Sequence, residues 1–583
     1  MHTWDLNEKE ARMLQESLAE DCVLEGKPDV ELVGALDVSI YPESKIGIAS
    51  AVNYSITRRD IVEEVVLITK LSFPYISGLL AFREAPPMIE AASCLKQEPD
   101  CYIIDGHGYA HPRRIGLASH IGLFLDRPTI GCAKNILVGE FEEPGEEVGS
   151  YSQIWDGEPV GYAVRSQQEA EPIFLSPGHK IDPKHIPGII DSLLSTKSKL
   201  PEPLRLAHNV AKEEREKIKQ LTQPFLAEDA GVFLVGGTLR DLLLGKKPLD
   251  YDLMVSEFSE KIREKLEDQF GGHFFTLDEE REMYRLPGDN LQIDLTVVGA
   301  DEVVEDLKRR DFTINSVALD MARETWVDPV DGKKDAKQRV LKPTGEENLK
   351  EDPLRILRAY RLAQHHRLSF ASELLENIQQ NAELLTEISR ERIVEELFKI
   401  SSRQDAGKWF QNMRKDGVLA AVSFFRSEGA SDAERLEEWR PVLKNHALFT
   451  NTTYHGPYSL LDGFKAARMV NQDKLGDWPL HRHIKQVTLA SYEELPEEPS
   501  DIELLLSDKK LLGRILGRGL WENWGREKIL EGILSLDSYL QTRNKKEKTL
   551  AAELEGDPRL GEKKREQLLD FLPDIWDEYL GSL

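Results

Sequence analysis

Short apolar runs separated by polar turns dominate the first third of the 583-residue chain. Residues 31–41 are apolar but for one internal charge, Asp37, and read as a buried strand; 45–55 and 62–69 read as two more. A helical pattern near 79–95 follows, then a strand at Tyr102-Ile103-Ile104 ending in Asp105, a helix near 115–125 and a strand at 129–132. Three strands and then alternating helix and strand predict a ribonuclease-H-like α/β domain. In that layout an acid in the first strand and one ending the fourth can meet. Residues 209–229 are charged and helix-like, with i, i+3 and i, i+4 pairs that predict a solvated connecting helix. Val232 to Val235 then reads as a buried strand, Thr238 to Leu244 as a short helix and 256–270 as an amphipathic helix. Strand-like pieces at 273–276, 283–286 and 291–298 complete an α+β head, and the rest of the chain is helical. The predicted architecture is multidomain: 1–210, a linker helix over 211–224, a head over 225–340, a helical neck over 341–405 and a helical body and tail over 406–583.

Composition narrows this picture. A net charge of −28 argues against indiscriminate nucleic-acid binding through a globally basic surface, but not against local basic patches or bound metal ions. Cys22, Cys94, Cys101 and Cys132 have no metal-type spacing and read as reduced thiols of a cytoplasmic protein. No apolar run is long enough to span a bilayer, and Met1 to Leu18 is polar and charged, so neither a membrane partner nor a signal peptide is expected. Internal repeats are not evident, and nothing speaks to oligomeric state.

In the second domain, Gly236-Gly237 follows a buried strand and opens a helix, a place where backbone N–H groups can approach an anion. Asp250 and Asp252 are spaced i, i+2, which on a strand puts both carboxylates on one face. Such a pair suits metal-assisted phosphoryl chemistry. Downstream come Arg309-Arg310-Asp311-Phe312-Thr313-Ile314-Asn315-Ser316, Asp328-Pro329-Val330-Asp331-Gly332 and Glu351-Asp352-Pro353-Leu354-Arg355-Ile356-Leu357-Arg358-Ala359-Tyr360-Arg361. Paired arginines bind phosphate oxygens through planar forks. Asp352, Arg355, Arg358 and Arg361 recur every three residues and are expected on one helix face, with Pro353 in its first turn. Asp294 reads either as a third carboxylate or as an acid paired with a nearby arginine.

In this order the motifs resemble the class II tRNA nucleotidyltransferase / poly(A) polymerase family over roughly 222–400. The resemblance implies two Mg²⁺ ions on Asp250 and Asp252, and nucleotide binding by Gly237, Arg240, Arg309, Arg310 and Asn315. It also implies a template face of Asp352, Arg355, Arg358 and Arg361 that selects CTP and ATP for addition to a tRNA 3′ end. Two departures leave the nucleotides added open. The segment between Asp252 and Arg309 is short, and the stretch after Asp294 lacks the usual arginines. Poly(A), CC-only and A-only addition are the alternatives. In the C-terminal part, Trp521, Trp524 and His481-Arg482-His483 carry no recognisable motif.

The first third carries its own motifs. They are Phe73-Pro74-Tyr75-Ile76-Ser77-Gly78 running to Arg83-Glu84, Asp105-Gly106-His107-Gly108-Tyr109-Ala110-His111-Pro112 running to His120, and Ile130-Gly131-Cys132-Ala133-Lys134. Ser176-Pro177-Gly178-His179 and Leu200-Pro201-Glu202-Pro203-Leu204-Arg205-Leu206-Ala207-His208 complete the set. Together they resemble endonuclease V. The resemblance implies a Mg²⁺-dependent nuclease cutting DNA or RNA 3′ of hypoxanthine, at the second phosphodiester. Asp37 and Asp105 would be metal ligands, Glu84 a third acid, His208 a further catalytic group, Lys134 a contact near the scissile phosphate and Tyr75 part of a wedge in the strand. Taken alone, Tyr75 reads as a surface aromatic, and His107, His111, His120 and His179 as structural hydrogen-bonders. Ile40 stands where the family commonly has an aromatic. The whole chain thus reads as a bifunctional enzyme; the rival reading keeps one catalytic unit and makes the other a nucleic-acid-binding module.

Overall fold

The computed structural model describes residues 2–421, apart from 42, 43, 289, 290, 300, 402 and 404. The chain divides into two compact units, 1–388 with 411–426 and 389–410 with 427–583. Both predicted catalytic domains lie in the first unit. In the second unit the described residues are in 389–410 and include the helix Arg390–Ser401. The sequence readings beyond residue 421, including Trp521, Trp524 and His481-Arg482-His483, lie outside the described residues.

The N-terminal domain opens with α1 (Glu8–Leu18), held by a capping box between Asn7 and Glu10. There follow β1 (Leu32–Ile40), β2 (Ile46–Ser55), β3 (Asp60–Lys70), α2 (Leu80–Ser93), β4 (Cys101–Asp105), α3 (Leu117–Leu125) and β5 (Thr129–Ala133). Then come β6 (Glu140–Phe141), β7 (Tyr151–Trp155), β8 (Pro159–Val164), β9 (Ile173–His179), α4 (Ile186–Asp191) and α5 (Glu202–Leu226). The sheet order is β3-β2-β1-β4-β5-β9-β8-β7-β6, with β1 antiparallel to β2 and parallel to β4. Alternation along β1 splits the core. Val33 and Ala35 pack on the side of α5, whereas Leu36 packs with Ala81, Ala85 and Met88 of α2 and Ala118 of α3. Helix α2 runs through Pro86 and Pro87, although each proline removes an intrahelical hydrogen bond.

The second domain runs β10 (Val232–Leu234), α6 (Gly236–Leu243), β11 (Asp250–Val255), α7 (Glu260–Phe270), β12 (Phe275–Asp278), β13 (Met283–Pro287) and β14 (Gln292–Val297). After these come α8 (Val303–Lys308), β15 (Ala318–Asp320), β16 (Thr325–Val327), α9 (Gly332–Gln338), α10 (Asn348–Glu351), α11 (Arg355–His366) and α12 (Ser372–Asn381). Its sheet order is β12-β13-β14-β11-β10-β15-β16, so β11 is central, between parallel β14 and antiparallel β10.

Helix α5 belongs to both domains. Residues 211–224 were expected to be a solvated connector, but they form the interior of this 25-residue helix, and one face of it is buried. Leu204, Ala207, Ala211, Ile218, Leu221 and Phe225 join a single hydrophobic cluster that also contains Val33 and Ala35 of β1 and Val232, Leu234, Tyr251 and Leu253 of the second sheet. The two catalytic domains therefore share one core. A polar contact adds to the junction: Glu324, at the β15–β16 turn, accepts from Ser44 Oγ at 2.6 Å and from the Lys45 N–H at 2.8 Å.

Two candidate active sites

The first site sits at the end of β4, where its pairing with β1 stops. Leu36 is in register with Ile104, so Asp37 and Asp105, each one residue further on, come side by side. Asp37 is buried, and its Oδ2 lies 2.9 Å from His208 Nδ1 on α5. Ser50 places that histidine: it is in register with Asp37 across β1–β2, and its Oγ donates to the carbonyl of Ala207 at 2.8 Å. Ligand atoms of Asp37, Asp105 and His208 all lie within 4.8 Å of one another. Lys134 Nζ lies 2.9 Å from Asp105 Oδ2. Glu84, on α2, stands outside that compact group but within its field. Burial, then Asp37 and Asp105, push its carboxyl up to about 8. Burial and Asp37 also raise Asp105. Two carboxylates crowded beside an imidazole are a donor set that a divalent cation would occupy. The residues fit such an ion.

The loop before α2 is pinned at both ends. Arg83 Nη1 donates to the Phe73 carbonyl at 2.7 Å, and Arg113 Nη2 to that of Gly78 at 2.6 Å. Between them Tyr75 is 76 % exposed. The histidines of the neighbouring motifs are held in the fold. His107 meets the Asn135 carbonyl at 2.9 Å and His111 that of Gly78 at 3.2 Å. His120 meets His2 at 2.7 Å, and His179 Nδ1 accepts from the Val23 N–H at 3.3 Å. Burial lowers His111 to about 4 and His120 to about 3, so both are neutral at physiological pH.

The second site is built on β11. Asp250 and Asp252 share one face of the strand, and Asp252 is in register with Asp294 on β14. The pairing with an arginine is observed: Arg285 of β13 grips the two oxygens of Asp294 at 2.7 Å each, while the strand register sets Asp294 beside Asp252. Burial, and for Asp250 next the charge of Asp294, raise the pKa of Asp250 and Asp252. These oxygen donors of repelling acids suit divalent cations. Gly237, expected to face a phosphate, donates its N–H to Asp252 Oδ2 at 2.5 Å. Gly236 turns the chain with φ +57°, and a Cβ there would meet Asp252 Oδ2 at 2.7 Å. Thr238 ties helix to strand: its Oγ accepts from the Asp252 N–H at 2.6 Å and donates to the Asp250 carbonyl at 3.3 Å.

Two arginines converge on Asn315. Arg240 Nη1 donates to its Oδ1 at 3.1 Å and Arg310 Nη1 to its carbonyl at 3.3 Å. Asn315 Nδ2 donates to Asp311 at 2.7 Å, and Arg358 Nη2 pairs with the same buried carboxylate at 2.9 Å. Arg355 donates to the carbonyls of Asn348 (2.9 Å) and Arg309 (3.3 Å). Arg361 lies within the field of Asp241, which bonds Arg240 Nε at 2.8 Å. The expected four-residue helix face needs one correction. Helix α11 starts at Arg355, two residues after Pro353, while Asp352 has extended backbone and accepts from the Leu354 N–H at 3.3 Å. The proline shapes the entry to the helix rather than its first turn, and its predecessor is steered away from helical geometry.

Comparison with known proteins follows this division. The endonuclease V family model matches residues 14–209. Endonuclease V of Gloeobacter violaceus is 44% identical over 216 residues, which are 36% of this chain and 87% of the relative. The chain belongs to the endonuclease V family. Its membership rests on the N-terminal third, and a second family is fused behind it. The poly A polymerase head domain matches 232–342, and the probable RNA and SrmB-binding site of polymerase A matches 367–423. Among solved structures, endonuclease V of Streptomyces avermitilis is 36% identical and covers 37% of this chain and 96% of its own, with a TM-score of 0.35. A tRNA-processing enzyme solved with CTP is 22% identical and covers 60% of this chain and 99% of its own, with a TM-score of 0.40.

Several site residues of this endonuclease V fusion escaped the sequence reading. Asp311 stood inside a quoted motif without a role. Arg285 was detectable only as a basic residue in a strand next to a strand carrying an acid. Ser50 had no signal, because its role depends on the register of β2 against β1 and on the docking of α5.

Proposed function

We propose that the chain is a bifunctional cytoplasmic enzyme. Its first site is a Mg²⁺-dependent endonuclease that cleaves the second phosphodiester 3′ of inosine or deoxyinosine, in RNA or DNA. Its second site is a nucleotidyltransferase that adds CMP and AMP from CTP and ATP to the 3′ end of tRNA. The observation that carries the first reading is the convergence of Asp37, Asp105 and His208 at the strand ends. The second rests on Asp250 and Asp252 sharing a strand face beside the Arg240–Asn315–Arg310 cluster. Buried free thiols at Cys101 and Cys132 suit a reducing compartment.

Divalent ions held by Asp37 and Asp105, and by Asp250 and Asp252, would activate the attacking water or 3′-hydroxyl and stabilise the leaving oxygen. The chain's own residues do the rest. His208 is oriented by Asp37, and Glu84 is poised to exchange a proton at neutral pH. Lys134 supplies positive charge next to Asp105 for the scissile phosphate. Tyr75, exposed on a pinned loop, fills the space of a displaced base. Arg240 and Arg310, held in place by Asp241, Asp306 and Asn315, supply positive charge for a triphosphate, with Arg309 beside them. Asp352, Arg355, Arg358 and Arg361 read the base of the incoming nucleotide.

The test is one preparation with two assays: inosine-containing strands, and tRNA lacking its terminal CCA with CTP and ATP supplied singly and together. Asp37→Ala is expected to abolish cleavage alone, and Asp250→Ala addition alone. Unlimited A addition would make the second site a poly(A) polymerase. Arrest after CC or a single A would define a partial CCA enzyme. Absence of addition with cleavage intact would leave an RNA-binding module.

A further inference from the structure

The helix that completes the first site also reaches the second. Six residues after His208, about 9 Å further along α5, Glu214 is fully buried. Its Oε1 accepts a hydrogen bond from the hydroxyl of Tyr251 at 2.7 Å, and among the described residues its Oε2 has no hydrogen-bond partner. Tyr251 is itself fully buried and lies between Asp250 and Asp252 on β11. Strand alternation puts its ring on the face opposite the two carboxylates, and there it joins the cluster formed with α5. Lys217, one turn beyond Glu214, holds its ammonium 5.5 Å from the Tyr251 ring centroid.

A buried carboxylate with one unmatched oxygen is a costly way to fill a core position; an aliphatic side chain would pack there without that penalty. What the carboxylate supplies and an aliphatic chain cannot is a directional anchor. The phenol hydroxyl fixes the rotation and height of Tyr251, and through one peptide on each side it fixes where Asp250 and Asp252 stand. Placement errors of about 1 Å are felt in such chemistry as large rate losses.

We propose that Glu214 and Tyr251 are a positioning pair through which the endonuclease V helix sets the catalytic strand of the nucleotidyltransferase. The inference rests on the reading that Asp250 and Asp252 carry out nucleotide addition. On this view the transferase site is complete only with a residue of the helix that also carries His208, and the fusion is a requirement of the second activity rather than a tether.

The full-length chain tests this through Tyr251→Phe, Glu214→Leu, Glu214→Gln and the double variant E214L/Y251F, with inosine cleavage in the same sample reporting the folded fraction. Tyr251→Phe and Glu214→Leu are expected to lower kcat for nucleotide addition about tenfold, with the nucleotide KM within about twofold. Glu214→Gln should keep most of the activity, because its amide oxygen still accepts the phenol. The double variant should be no worse than either single one. A wild-type kcat in both single variants, losses that multiply in the double variant, or losses that only track the folded fraction would each overturn the pair. Wild-type chain that adds no nucleotide would overturn the transferase reading itself and the pair with it, whereas active wild type with indifferent variants overturns the pair alone.

Discussion

At the scale of single residues, the first site carries a pH signature. Burial, Asp37 and Asp105 push Glu84 up to about 8, so in the metal-free protein it holds a proton at pH 7. An acid with a raised folded pKa favours folding most when both states are protonated. Its contribution is lost as pH rises from the ordinary carboxylate range through about 8. The charge of a divalent ion at Asp37 and Asp105 disfavours that proton, so apparent Mg²⁺ affinity should rise with pH and level off above about 8, with proton release measurable by calorimetry in two buffers. Glu84→Gln should flatten the dependence. Unchanged proton release in that variant would show that another group carries the proton. In the second site the sharpest residue is Gly236. An alanine there must adopt φ +57° and put its Cβ 2.7 Å from Asp252 Oδ2. The backbone penalty alone is about 1–2 kcal/mol, and relief of the clash moves the carboxylate. Gly236→Ala is therefore expected to cut nucleotide addition by about 100-fold or more while inosine cleavage continues. Addition within a few-fold of wild type would show that Asp252 tolerates displacement.

Elements rather than residues decide how the region proposed to select the nucleotide is held. Arg358 is the link from α11 to Asp311, a buried acid whose pKa stays low because Arg358, Asn315 and the Phe312 N–H outweigh burial. Removing the arginine leaves that charge buried and short of a partner, a loss of roughly 3–5 kcal/mol. Arg358→Ala should lower thermal stability and raise the nucleotide KM, and Arg358→Lys should recover only part, because an ammonium lacks the planar fork. Stability within about 0.5 kcal/mol of wild type would mean that Asp311 is satisfied without α11. The same scale explains what could be read from the chain alone. Strands β1 to β5 were legible because each is an apolar run bounded by turn residues, and the ordered acids Asp37 and Asp105 then fell together. Strands β6 to β9 were not, since β6 has two residues, β7 alternates with exposed positions and β9 contains Pro177. Helix α5 looked like a solvated linker because charges at i, i+3 and i, i+4 crowd its middle; the apolar stripe from Leu204 to Phe225 is broken by Glu214, whose partner, Tyr251, is 37 residues away. Asp352 was placed on a helix face by three-residue spacing, which says nothing of where the helix begins.

For the whole molecule, the decisive feature is the shared core. Had the two enzymes been joined by a solvated linker, each domain would unfold on its own and the loss of one activity would leave the other. The cluster that runs from β1 through α5 to β10 and β11 predicts instead that both activities disappear in one cooperative transition. Leu221 is the place to test this, because it is fully buried on α5 within that cluster and is not itself a candidate catalytic residue. Leu221→Ala removes three carbons from a packed interior and should cost about 2–5 kcal/mol. Inosine cleavage and nucleotide addition, assayed after brief heating, should lose their midpoints by the same number of degrees, and calorimetry should show the transition that contains both move as one. If only addition became heat-sensitive while cleavage kept its wild-type midpoint, α5 would be a helix of two separate cores, and the continuity of the cluster would have no energetic weight. The expected joint shift follows from topology: α5 cannot leave the second sheet without withdrawing His208 from Asp37, nor leave the first without withdrawing Glu214 from Tyr251.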